Sequence, residues 1–532
     1  MDERADAGGD RVRAAEVIGA TCLATDLAMG FPFEHGLHAA LVAMRLAELC
    51  EVDRDTAVQT YYGCLLMYAG CTTDSDVAVD LFGGPQTEHI TPVHFGTPLQ
   101  RVRGVIRAVP SPGAAPHRRA VEVVTRLPRA AKNAKPHFTA FCEVAEMLAE
   151  RLGLPPAVST LFDRLTERWD GKGLLQRAAG EDIPLSLRIV HVARDAVFQR
   201  LVGGDAHAAA VVRERAGQAF DPAIANRFAD AAEDILAAAD RGDSVWEATL
   251  AAEPEPRLGL DGIAIDRALA AIGGFADLIS PWLAGHSQGV AELAAAAAAR
   301  WGLSAADIAV VRRAGFAHDT GRAAVHPRIW QKPGQLTADE WEQVRLHAYH
   351  TERAFSRSPL LAALAGVASC HHERLDGSGY HRGLRAVTLP APARLLAAAD
   401  AFHAMTEPRP HRPPMRVDEA AKVLTADANA GRHDPDVVGA VLDVAGQPAP
   451  ELERPAGLTE REAEVVGLIA RGLQTKQVAR ELAISAKTAD RHIQNAYRKI
   501  GVSTRSGATL FAVERGLVAW GELPIPRGAY RR

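Results

Sequence analysis

Apolar positions recur at three- and four-residue spacing over Leu293–Trp301, Ala305–Ala317 and Leu360–Cys370, a period that predicts amphipathic helices. Ser304, ahead of Ala305, supplies an N-cap, and Thr337 with Glu340 forms a capping box. No alternating run long enough to be a convincing strand occurs. The alanine run Ala291–Ala299 is broken by Glu292 and followed by Arg300, so it is too short and weakly apolar to span a bilayer. Near the C-terminus, Ile484, Ala489, Ile493, Ala496 and Ile500 form an inward stripe. Lys487, Asp490, Arg491, Gln494, Arg498 and Lys499 take the opposite face. Periodicity lapses at 240–260 (DRGDSVWEATLAAEPEPRLGL) and at 445–457 (AGQPAPELERPAG), the latter a semi-stiff linker with three prolines. The pattern predicts an all-α chain with domains at 1–240, 258–444 and 458–520, the last two joined by the linker 445–457.

The first two segments repeat each other. RWDGKG (Arg168–Gly173) echoes RLDGSG (Arg374–Gly379), and eighteen residues after each aspartate an arginine, Arg188 or Arg394, opens an apolar run. GCLLMYAGC (Gly63–Cys71) matches GFAHDTGR (Gly315–Arg322), and the same offset lays His35 over His286. This reads as a tandem duplication. The copies differ where chemistry would occur: Met67 and Tyr68 replace His318 and Asp319, Leu165 and Thr166 replace His371 and His372, and Arg194 replaces Asp400. The first copy is therefore expected to hold no metal pair and to serve packing, dimerisation or sensing.

A length of 532 residues favours three or four domains, and 48% hydrophobic with 23% charged residues is ordinary for a soluble globular protein. Six cysteines form no Cys-x-x-Cys pair, so neither a thiolate metal site nor a redox motif is indicated. The first twenty residues carry acids and lack an apolar core, so no signal peptide is evident and a cytoplasmic protein with no membrane partner is expected. Charge is uneven: residues 458–517 hold ten Lys/Arg against six Asp/Glu within a chain of net charge −5. A basic C-terminal module on an acidic body points to an anionic partner at that end.

Candidate chemistry centres on HHERLDGSGY (His371–Tyr380) and AHDTG (Ala317–Gly321). Borderline imidazoles beside a hard carboxylate suit a pair of first-row transition metals better than calcium or a thiolate-seeking ion. Such a pair is suited to hydrolysing phosphate esters. Together with SPWLAGHS (Ser280–Ser287), QKPGQLTADEWEQVRLH (Gln331–His347) and ARLLAAADAF (Ala393–Phe402), these motifs make residues 275–445 resemble the HD-GYP branch of the HD phosphohydrolases. The resemblance implies an all-helical, metal-dependent phosphodiesterase. It implies that His286, His318, Asp319 and Asp400 hold one metal, and that Asp319 bridges to a second held by His347, His371 and His372. Two divalent ions, iron or manganese, are the implied cofactors. His318 and Asp319 would be catalytic, and Arg322 and Lys332 are candidate phosphate contacts.

Taken by themselves, Asp376, Gly377 and Gly379 read as a turn whose glycines permit positive φ, and Glu373 and Arg374 as partners that orient ligands. Several positions depart from the family. His381 follows Gly379-Tyr380 in place of proline, Arg322 replaces a lysine, and His403 replaces the second acid of an Asp-x-x-Asp run. Trp282 stands where some members carry a glutamate, which argues for two metals rather than three. Cyclic di-GMP is the leading substrate, with another phosphoester or cyclic nucleotide as the alternative.

LTEREAEVVGLIARGL (Leu458–Leu473), TKQVARELAIS (Thr475–Ser485), AKTADRHIQNAYRKIGVSTR (Ala486–Arg505) and ATLFAVERGL (Ala508–Leu517) resemble the LuxR-type helix-turn-helix domain of four helices. Thr459 and Glu462 form its opening capping box. By family position, Asp490, Arg491 and Gln494 would face base edges, and Lys487, Thr488 and Lys499 would meet phosphates of double-stranded DNA. His492 and Asn495 would serve either purpose. The closing helix often pairs protomers in this family, so a homodimer is expected. The whole reads as a transcriptional regulator with a phosphodiesterase domain; the alternative is a regulator whose HD-GYP domain only senses a nucleotide or metal.

Overall fold

In a computed structural model, residues 11–72, 89–111, 113–448, 455–515 and 517–518 are described. Helices dominate as the periodicity predicts. Among the described residues the only sheet pairs Arg11–Arg13 antiparallel with Gly259–Asp261, Val12 opposite Leu260. Three of the expected caps form. Ser304 accepts from the Asp307 N–H, and the boxes Thr337/Glu340 and Thr459/Glu462 both close. These satisfy backbone donors that the first helical turn leaves without partners.

The chain forms two compact units, Met1–Gly285 with Asp319–Ala363 and His286–His318 with Leu364–Arg532. The segment expected as 258–444 contributes to both. In the first unit, helix Leu185–Glu214 lies against helices His35–Leu49, Arg54–Leu65 and Pro222–Asp230. Helix Ala14–Met29 buries every residue from Ala14 to Asp26 except Glu16, so its burial runs round the helix rather than along one stripe. In the second unit, helices His286–Trp301, Ala305–Ala317 and Ala391–Thr406 bury alanines and aliphatics such as Val290, Ala294, Val311, Leu395 and Leu396. Gly315 permits this closeness: a Cβ there would lie 2.6 Å from the Ala291 Cα. The HTH-like module has its own core around Val465, Val466, Val478 and Ala496.

The stretch 240–260 is more ordered than expected. Ser244 caps helix Val245–Ala251, and Trp246 and Leu250, four residues apart, are buried. Positive charge is also less confined than the module count implies. Residues 98–135 hold nine Lys/Arg against a single acid, and Arg103, Arg107, Arg118 and Arg119 are exposed there.

Local contacts recur between the two repeats. Arg188 meets Asp221 at 2.6 Å, and Arg394 meets Asp434 at 2.9 Å. Each aspartate N-caps a helix that begins with proline, Pro222 or Pro435. Glu167 accepts the Arg177 N–H at 3.0 Å, and Glu373 accepts those of Arg382 and Leu384 at 2.8 Å each. Glu373 thus holds the loop that follows its motif.

Candidate metal centre and nucleic-acid interface

His286 opens helix His286–Trp301, His318 closes the next, and Asp400 sits within helix Ala391–Thr406; all three are at most 2% exposed. Their ligand atoms lie within 4.8 Å of one another. The His286 Nε2 is 3.2 Å and the His318 Nε2 3.8 Å from the Asp400 Oδ1, and the His372 Nδ1 is 3.8 Å from its Oδ2. The His371 ring centroid is 4.7 Å from that of His318. Burial works to raise the Asp400 carboxyl, but the His286 hydrogen bond and the His372, His371 and His318 rings hold it well below the usual carboxylate range.

Backbone contacts fix the tautomers. The Nδ1–H groups of His318 and His371 donate to the carbonyls of Gly315 and Ala368 at 2.7 Å, each three residues back. The His286 Nδ1–H donates to the Glu407 Oε2 at 2.8 Å. Each ring therefore presents Nε2 as its ligand atom. The imidazole nitrogens of His286 and His318 beside the Asp400 carboxylate are a fitting donor set for a first-row divalent ion. Glu407 was not foreseen from the sequence. The available signal was an acid one helical turn beyond His403, whose Nδ1 is 3.3 Å from the Glu407 Oε1.

Asp319 follows His318 directly and belongs to the other unit with His347, Arg322 and Lys332. The His347 Nε2 lies 3.3 Å from the Asp319 Oδ1, and its Nδ1–H meets the Val344 carbonyl, repeating the arrangement of His318 and His371. Gly321 is required for this packing: a Cβ would fall 2.0 Å from the His347 carbonyl oxygen. Arg322, 5% exposed, contacts the Asp319 Oδ2 at 2.6 Å and lies 5.2 Å from the Trp330 ring centre. Lys332 is held by Glu340 at 2.5 Å instead. Of the two candidate phosphate contacts, the structure gives only Arg322 a contact with a candidate ligand.

In the glycine turn, Asp376 accepts from the Ser378 N–H and Gly377 has φ 82°, as expected. Gly379 is needed for a different reason: a Cβ would sit 2.5 Å from the Arg374 nitrogen and the His372 carbonyl oxygen. Tyr380 covers His372 with ring centres 4.6 Å apart.

Among the described residues, the first repeat shows no such donor set. Arg194, the counterpart of Asp400, is 2% exposed and lies 3.7 Å from the Tyr68 ring centre. Burial pushes the Asp26 carboxyl up to about 7, although the Gly36 N–H and Arg194 work to lower it. Burial, with Arg194 nearby, drops His35 to about 3. A guanidinium beside one imidazole, a phenol and the buried thiols of Cys22 and Cys64 does not fit a divalent metal pair.

In helix Ala486–Ile500, Ala489, Ile493 and Ala496 are buried, while Lys487, Thr488, Asp490, Arg491, Gln494 and Lys499 are exposed. Ser485 caps the helix and Gly501, at φ 72°, ends it. Lys499 is committed inward: its Nζ meets the Glu462 Oε2 at 2.6 Å and the Gly457 carbonyl at 2.9 Å.

Comparison with known proteins finds matches to the regions that hold these two groups of residues. Residues 275–437 match the HD domain family, and residues 456–512 match the family described as bacterial regulatory proteins, luxR family. The 3′3′-cGAMP-specific phosphodiesterase 3 of Vibrio cholerae is 28% identical over 410 residues, 75% of this chain and 88% of that protein. That length reaches well into the first half of the chain. A cyclic di-GMP phosphodiesterase of Thermotoga maritima is 36% identical over 160 residues, 30% of this chain and 43% of that protein. The crystal structure of a cyclic GMP-AMP specific phosphodiesterase from V. cholerae shares the fold, with TM-score 0.57 and 23% identity over 83% of this chain and 100% of that one. No helix among the described residues is long and apolar enough to cross a membrane. The chain thus carries an HD domain at 275–437 and ends in a LuxR-family regulatory domain, and its relatives are cyclic dinucleotide phosphodiesterases.

Proposed function

We propose that this protein is a DNA-binding transcriptional regulator whose second HD-type domain hydrolyses a cyclic dinucleotide at a binuclear metal centre. The observation that carries the reading is the gathering of His286, His318 and Asp400 within 4.8 Å, with imidazole tautomers fixed by their Nδ1 contacts. His286, His318, Asp319 and Asp400 hold one ion, and Asp319, His347, His371 and His372 hold the other. When bound, two such ions supply an ionised water near neutral pH and neutralise charge developing on phosphoryl oxygens. The chain's own residues prepare for this. Burial of the proposed ligands other than His372 excludes bulk water, backbone carbonyls hold His318, His347 and His371 in register, and Arg322 sets the Asp319 carboxylate. Names of relatives support cyclic di-GMP or the mixed cyclic GMP-AMP as substrate. The domains are taken as 1–240, 258–444 and 458–520, the first a metal-free repeat.

The regulatory domain docks Asp490, Arg491 and Gln494 to base edges, and Lys487 and Thr488 to phosphates. Leu510, 60% exposed on the closing helix Arg505–Glu514, supports pairing of protomers through that helix. A cytoplasmic homodimer follows.

The test is metal analysis of the purified protein together with a turnover screen across cyclic dinucleotides. Two equivalents of metal, cleavage of at least one cyclic dinucleotide, and loss of both in Asp319→Ala are expected. Stoichiometric metal without turnover of any of them would leave a sensor and refute the enzyme.

A further inference from the structure

The contact between His286 and Glu407 goes beyond the ligand set. Glu407 is the first residue after helix Ala391–Thr406, with extended backbone at φ −98° and ψ 150°. Its placement is built rather than incidental. Arg412 donates to the carbonyls of Ala404 at 2.6 Å, Met405 at 3.1 Å and Glu407 at 3.2 Å, closing the end of the helix that carries Asp400. Arg409 and Arg412 exchange backbone hydrogen bonds of 2.9 and 3.1 Å, which folds the chain back. The Arg409 guanidinium then reaches the Glu407 Oε2 at 2.8 Å.

The carboxylate so fixed uses its two oxygens on two histidines. Oε2 accepts from the Nδ1–H of His286 at 2.8 Å, and Oε1 lies 3.3 Å from the Nδ1 of His403. His403 stays close because residue 289 is glycine; a Cβ there would stand 2.0 Å from the His403 Nε2. His286 differs from its fellow candidate ligands in this respect. His318, His371 and His347 give Nδ1–H to neutral backbone carbonyls, whereas His286 gives it to a charged carboxylate. An acid behind a ligating imidazole fixes the ring and raises its basicity toward the ion.

We propose that Glu407, held by Arg409 and Arg412 and flanked by His403, is a positioning residue that orients His286 and strengthens its hold on the metal. The inference rests on the reading of His286 as a metal ligand. The Glu407 carboxylate, His286 and His403 also offer ligand atoms within 4.8 Å of one another, and the carboxylate is assigned to the imidazole rather than to an ion. It acts through the imidazole, and His403 restricts where the carboxylate can turn.

The experiment uses the full chain stripped of metal and reloaded with Co²⁺, with affinity measured by chelator competition and the visible ligand-field spectrum recorded. Glu407→Ala is expected to weaken Co²⁺ binding by about 10–100-fold. Glu407→Gln, which keeps an acceptor without the charge, is expected to lose less. Both variants should shift the spectrum, retain the metal count at saturation, and melt as the unaltered apo-protein does. An unchanged affinity and spectrum in Glu407→Ala would overturn the proposal. So would loss of a whole metal equivalent at saturation, which would make Glu407 itself a ligand. A fall in apo-protein melting with no spectral change would leave only a structural role and also overturn it. Failure of the unaltered chain to bind Co²⁺ would instead refute the metal-centre reading on which the proposal stands.

Discussion

At the scale of single residues, the two repeats give opposite answers to one electrostatic problem. A buried pocket of polar groups needs positive charge, and the second repeat gathers carboxylate and imidazole suited to an ion. The first repeat carries its cation covalently, as the Arg194 guanidinium against Tyr68, near Asp26 and His35. Arg194→Ala should therefore destabilise the protein by about 3 kcal/mol, the scale for removing one partner from a buried charged cluster. Denaturant titration would read it, and a change under about 0.5 kcal/mol, the range of ordinary surface substitutions, would refute it. The candidate ligands that gather, His286, His318 and Asp400, were already singled out in the sequence by residue type and motif order. Glu407 was not, because its value depends on where a turn after a helix returns. Gly379 was singled out correctly, but for torsional freedom, when close approach of the His372 carbonyl is what excludes a side chain.

At the scale of elements, caps and periodicity were readable because they are local. Ser304, Thr337 and Thr459 all cap the helices expected of them. Helix Val245–Ala251 escaped notice because seven residues leave too little of a period, and its burial of Trp246 is a tertiary fact. The reading helix shows the same division. Its inward and outward faces followed from spacing, yet the Lys499 bond to Glu462 depends on a neighbouring helix. That bond separates Lys499 from the other candidate contacts, leaving Lys487 and Arg491 as clean probes. Arg491→Ala should cost about 1–3 kcal/mol on the preferred operator and flatten discrimination at one base pair. Lys487→Ala should weaken binding alike on all duplexes and reduce the salt slope by about one. Competition binding at several salt concentrations distinguishes them; intact discrimination in Arg491→Ala would remove that residue from the base-facing set.

At the scale of the whole molecule, the proposed duplication rests on motifs at fixed offsets, and the recurring Arg–Asp contacts at Asp221 and Asp434 support it. The division into compact units was not, since it falls between His318 and Asp319, within a single motif. Burial on this scale also makes stability depend on pH. His191 is 2% exposed, and burial lowers it to about 4 despite its hydrogen bond to the Leu165 carbonyl at 2.9 Å. His35 is lowered to about 3. For both, the unfolded chain takes up protons first, beginning near pH 6.5. The stability they contribute is thus complete above that pH and is lost as pH falls through the folded values. For His191 the loss is on the order of 3 kcal/mol when complete. Asp26 opposes them: raised to about 7, it contributes most below 3.8, and that contribution is lost as pH rises toward 7. The two histidines outweigh the one acid, so the denaturation midpoint of the protein should fall between pH 6.5 and 4. His191→Gln should retain the hydrogen bond to Leu165 yet flatten that fall. An unaltered slope in the variant would show that His191 is not among the groups whose protonation drives acid unfolding.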